Sequence, residues 1–113
     1  MDNDELYIIW TNADPLTAHN MVMTYSTNSM LKRWWSSVTV VIWGATAKYA
    51  AADESIQGKI MIAQQAGVKF SACRACAENL GVKDKLEALG IEVKFWGEPM
   101  TEILRERKHI ITI

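Results

Sequence analysis

Five short apolar runs of β-forming residues, at positions 6–11, 38–43, 67–72, 91–96 and 109–113, alternate with helix-favouring segments along the 113-residue chain. Strands that alternate with helices need right-handed crossovers between parallel neighbours. The pattern therefore predicts an α/β fold in which a mainly parallel five-stranded sheet carries helices on both faces. Val38-Thr39-Val40-Val41-Ile42-Trp43 has almost no polar face, as expected of a central strand covered on both sides. A chain of this length, half hydrophobic, buries a core without disulfide staples. With no linker, repeat or low-complexity stretch, it reads as one domain over residues 1–113.

The connecting segments carry helix signals at their ends. Asp14-Pro15 supplies a cap and a first helical residue, predicting a helix over about 16–35. Met21-Val22-Met23 followed by Tyr25 gives it an apolar arc wider than one core stripe. The weak helix formers between Thr24 and Ser29 leave it dependent on packing. Asp53 caps another helix, with Ile56, Ile60 and Ala63 at helical spacing and Gly67 at its end. Val82, Leu86 and Leu89 mark a short helix closed by Gly90. Gly97-Glu98-Pro99 opens the last one, with Ile103 and Leu104 on its core face and Arg105, Arg107 and Lys108 at its negative end.

Charge and composition exclude several functions. A formal net charge of -1 exerts no long-range pull on nucleic acid or an acidic membrane surface. No apolar stretch approaches the roughly 20 residues that span a bilayer. The acidic start lacks the basic region of a secretory signal, so a cytoplasmic location is expected. No GxGxxG or GxxxxGK[ST] signature follows a strand, and Gly44-Ala45-Thr46 is too short to cradle phosphate. His19 and His109 lie far in sequence from the cysteines and read as surface or junction residues, so neither a metal nor a cofactor is expected. Five Trp and six Met are many for a small domain, and Trp34-Trp35 cannot share one helix face. One of the pair is expected outside the monomer core, which predicts a homo-oligomer.

In a parallel sheet the strand C-termini share one edge, which brings together the loops at Asn12, Gly44, Cys73 and Gly97. Cys73-Arg74-Ala75-Cys76 stands there, where the third strand turns into a helix. Unpaired N–H groups at a helix start favour thiolate, making Cys73 the candidate nucleophile. Cys76, one turn on, is a candidate resolving thiol. It shares a helical face with Leu80 and reads equally well as a small buried hydrophobe. Asn12, Gly44 and Lys48 are expected to line the pocket. Lys48 and Arg74 could hold an anionic sulfur donor or stabilise a thiolate, although such residues on helices are usually solvated. A thioredoxin reading is weak, because that CxxC follows the first strand and Pro99 reads as a first-turn helix residue.

The stretch Gly67-Val68-Lys69-Phe70-Ser71-Ala72-Cys73-Arg74-Ala75-Cys76-Ala77-Glu78-Asn79-Leu80-Gly81-Val82, with Leu89-Gly90-Ile91-Glu92-Val93, Gly97-Glu98-Pro99-Met100-Thr101 and the closing Ile-Thr-Ile, resembles the DsrE/DsrF family of sulfur-relay proteins. Trp43-Gly44-Ala45 is similar to that family's second-strand exit. The resemblance implies a three-layer α/β/α sandwich and a trimeric or hexameric assembly. It also implies a persulfide carried on Cys73, with sulfur donor and acceptor proteins or small thiols as partners. Cys76 departs from the relay subunits and is closer to stand-alone relatives. A second thiol nearby could discharge a persulfide as a disulfide. Three readings follow: a persulfide carrier, a non-catalytic oligomeric binding or scaffold module, and a CxxC dithiol redox protein.

Overall fold

A computed structural model describes residues 4–113. Five strands, β1 (Glu5–Trp10), β2 (Ser37–Ile42), β3 (Lys69–Cys73), β4 (Glu92–Lys94) and β5 (His109–Thr112), form one sheet in the order β4-β3-β2-β1-β5. Every neighbouring pair is parallel. Stepping from β1 to β4 moves the chain one way across the sheet. Right-handed crossovers place the intervening helices on one face: α1 (Pro15–Thr17), α2 (Thr24–Leu31), α3 (Ala45–Ala52), α4 (Glu54–Ala66), α5 (Arg74–Asn79) and α6 (Lys83–Ala88). The return from β4 to the far edge at β5 puts α7 (Gly97–Arg105) on the other face. The result is the three-layer α/β/α arrangement with unequal outer layers.

Alternation along each strand divides the core in two. Ile8, Trp10, Val40, Ile42, Phe70 and Ala72 face the larger helical layer and pack with Val22, Ile56, Ile60 and Ala63. Ile9 and Val41 face the other way and pack with Trp96 and Ile103, so one helix and the indole before it cover that side. Trp96 Nε1 donates to Ser71 Oγ at 2.8 Å, and Ser71 Oγ donates to Glu92 Oε1 at 2.9 Å. These bonds tie the start of α7 to β3 and β4. Beneath α7 lies a cleft of about 760 Å³ lined by Tyr7, Ser71, Lys94, Trp96, Ile103 and Lys108 among others.

The first crossover differs from the uniform helix expected over about 16–35. Between α1 and α2 the chain makes a π-helix at Ala18–Met23, and the helical run ends at Leu31. Thr24 Oγ1 donates to the carbonyl of His19, five residues back, at 2.9 Å, in keeping with the wider turn. The added residue lets consecutive Val22 and Met23 both be buried while Met21 stays exposed. The run stops before the tryptophans because Arg33 adopts a left-handed conformation, φ 56°. Trp34 is then 51% exposed, while Trp35 is half-buried and donates from Nε1 to Tyr25 Oη at 3.1 Å.

Candidate functional site

Three strand exits are joined by hydrogen bonds at the C-terminal edge of the sheet. Trp10 ends β1 and its carbonyl accepts from Thr46 Oγ1 at 2.6 Å and from the Trp43 N–H at 3.2 Å. Thr46 Oγ1 also accepts from the Trp43 N–H at 3.2 Å. This buried hydroxyl thus locks the β2–α3 turn against the end of β1. Gly44 makes the turn at φ 73°, ψ -131°, a region open to glycine and strained for any other residue. Its N–H consequently points across the edge and donates to Cys76 Sγ at 3.4 Å.

Both cysteines are free thiols, and Cys73 is near enough to Cys76 to bear on its ionisation. Their exposure is the reverse of what the sequence suggests. Cys73 is the last residue of β3, in register with Lys94 of β4, and only 5% exposed. It belongs to the strand and not to the loop. Cys76, in the first turn of α5, is half-buried and is the more open of the pair. Burial is the largest influence on Cys76 and pushes its pKa up. The Gly44 N–H acts against this, while the hydrogen bond and charge of Cys73 reinforce it.

The direction of that shift gives an expected pH profile. A raised pKa means less thiolate at neutral pH, so a small alkylating reagent should modify Cys76 more slowly than a free thiol. The rate should still be climbing where a free cysteine, with pKa about 8.5, has levelled off. Alkylation of a Cys73→Ser variant across pH checks this, because burial persists when Cys73 is replaced. A profile that plateaus below the free-thiol value would contradict it.

The other expected site residues are placed differently. Asn12 is exposed and spends its side-chain oxygen on the Asp14 N–H at 2.9 Å, organising the entry to α1. Its carbonyl accepts from Trp10 Nε1 at 2.9 Å. Lys48 is exposed on α3 and makes no ion pair among the described residues. Arg74 is engaged elsewhere than at a thiol. Its Nε pairs with Glu78 Oε2 at 2.9 Å, and its guanidinium lies 5.1 Å from the centre of the exposed Phe95 ring. Only Gly44 of the proposed lining residues is seen to touch a cysteine, and Thr46 and Trp10 are the supports that the sequence did not single out. Neither thiol lines the cleft under α7, although Ser71 and Lys94 beside Cys73 do. Among the described residues, no group of three His, Cys, Asp or Glu side chains is arranged to hold a metal ion, and no helix is long and apolar enough to cross a membrane.

An all-parallel sheet in the order β4-β3-β2-β1-β5, flanked by unequal helical layers, is the DsrE/YchN-like α/β fold. A conserved protein of unknown function from Bacteroides thetaiotaomicron superposes with a TM-score of 0.97 at 38% identity, over 99% of this chain and 97% of that one. The chain belongs to the family of that protein. The ychN protein from E. coli matches with a TM-score of 0.75 at 11% identity, covering 97% of this chain and 99% of the other. A protein of unknown function from Methanobacterium thermoautotrophicum matches with a TM-score of 0.75 at 19% identity, covering 96% and 97%. These two likenesses establish the fold. No family model and no curated protein matches the chain.

Proposed function

We propose that this protein handles sulfane sulfur: a thiol of the Cys73–Cys76 pair takes the terminal sulfur of a donor persulfide, holds it as Cys–S–SH and yields it to an acceptor thiol. The observation that carries this reading is the pairing of two free thiols at the C-terminal edge of a parallel sheet, with the Gly44 N–H directed at one of them. Resemblance to the sulfur-relay family assigns the carried sulfur to Cys73. Donors and acceptors would be other proteins or small thiols, encountered in the cytoplasm. Exposed Leu31, Trp34, Met61 and Ile62 support a homo-oligomer.

Incubating the reduced chain with a persulfide donor and weighing it intact tests the proposal. The wild type should be altered in mass at its thiols, by added sulfur or by conversion to a disulfide, and a Cys73→Ser/Cys76→Ser double variant should be unchanged. A wild type that reacts no more than the double variant would leave the fold as a binding or scaffold module.

A further inference from the structure

Cys76 is the more exposed of the two thiols, and Cys73 is buried. We propose that the two act in sequence and that the chain reduces sulfane sulfur: Cys76 takes the outer sulfur of a persulfide, and Cys73 then displaces that sulfur as sulfide, leaving a Cys73–Cys76 disulfide. This rests on the reading that the pair takes up sulfane sulfur; it places the first sulfur on Cys76, where the family resemblance places it on Cys73, and ends in released sulfide in place of transfer to an acceptor thiol.

The first step exchanges one S–S bond for another. The Cys76 sulfur attacks the outer sulfur of R–S–SH, the donor S–S bond breaks, and its electron pair leaves on RS⁻, which takes the Cys76 proton. The products are R–SH and Cys76–S–SH, with no net oxidation. In the second step the Cys73 sulfur attacks the Cys76 sulfur. The bond to the outer sulfur breaks, and that sulfur departs with the electron pair and both protons as hydrogen sulfide. Two cysteine sulfurs are oxidised to the disulfide and the sulfane sulfur is reduced. A dithiol reductant then returns the pair to thiols.

Geometry favours this outcome over passing the outer sulfur along. The sulfur that neighbours Cys73, three residues on across the β3–α5 junction, is the Cys76 sulfur, the inner one of the perthiol. Attack there expels hydrosulfide, whereas attack on the outer sulfur must expel the Cys76 thiolate. Burial disfavours that anion, and the less basic group leaves faster. Closure needs the two Cβ atoms about 3.5–4.5 Å apart. Cys73, at φ -67° and ψ 118°, is the extended residue that caps α5, so the pair spans a strand–helix junction and is not held at the fixed spacing of a helix.

The test uses reduced full-length protein with glutathione persulfide as donor, following intact mass and released sulfide together. Wild type should lose two hydrogens as the disulfide forms and release one sulfide per disulfide. Cys73→Ser should gain one sulfur and keep it, with Cys73→Ala as a second variant because a serine hydroxyl is not neutral at a buried site. Cys76→Ser should react about tenfold or more slowly and form no internal disulfide. A wild type that accumulates stable added sulfur without a disulfide would overturn the inference while leaving sulfur carriage intact. So would a Cys76→Ser variant that takes up sulfur as fast as wild type, or a disulfide that forms equally fast with donor omitted. No reaction of any form beyond the double variant would instead remove the sulfur-handling reading itself.

Discussion

Replacing Trp96 with alanine is expected to destabilise the fold by about 3–5 kcal/mol, the range for truncating a large buried aromatic. Trp96 is 3% exposed and packs with Ile9, Val41 and Ile103 on the face that α7 alone protects. Removing the indole takes away both the apolar wedge under the start of α7 and the donor to Ser71. Trp96→Phe keeps most of the apolar volume, and Ser71 retains its bond to Glu92, so the loss should be about 0.5–1.5 kcal/mol. Urea unfolding with an unchanged slope and a shifted midpoint measures both. A Trp96→Ala loss below about 1 kcal/mol would mean that α7 is held by something else, since domains have only about 5–15 kcal/mol to lose.

Trp10→Ala should be as severe, again about 3–5 kcal/mol. Trp10 is fully buried on the larger face, and its ring meets Tyr49 edge-on at 6.1 Å. Its indole N–H holds the Asn12 carbonyl. The same residue's main-chain carbonyl anchors Thr46 and Trp43, so the cavity would open directly beneath the turn that directs the Gly44 N–H. Since about 1 kcal/mol moves the melting temperature of a domain this size by several degrees, Tm should fall by more than about 10 °C. A drop of only a few degrees would show that the neighbouring helices collapse into the space.

The parts of this architecture legible in the sequence are those set by local pattern. Val38 to Ile42 is apolar because β2 is covered on both faces, and Asp53 caps α4 by accepting from the Ile56 N–H at 2.8 Å. Asp14 likewise caps the start of α1, and Gly67 ends α4. Strand order was not legible, because a run of β-branched residues says that a strand is buried without naming its neighbours. The π-helix left a trace in the width of the apolar arc around Val22 and Met23, but the helix stop did not, since Arg33 is an unusual residue for a left-handed turn. The burial of Cys73 is not legible in the sequence, because it depends on one more rung of pairing, with Lys94, that keeps it in the strand. Thr46 leaves no local signature, because its partner, Trp10, is 36 residues away. The Arg74–Glu78 pair has the i,i+4 spacing that could have revealed it.

The most direct test of the account is peptide-resolved mass spectrometry of the wild-type chain, quenched by alkylation after brief exposure to a persulfide donor. The peptide spanning residues 73 and 76 should carry all of the change, either as one extra sulfur or as an internal disulfide. Recovery of that peptide with both cysteines simply alkylated, at every time point and donor concentration, would contradict it.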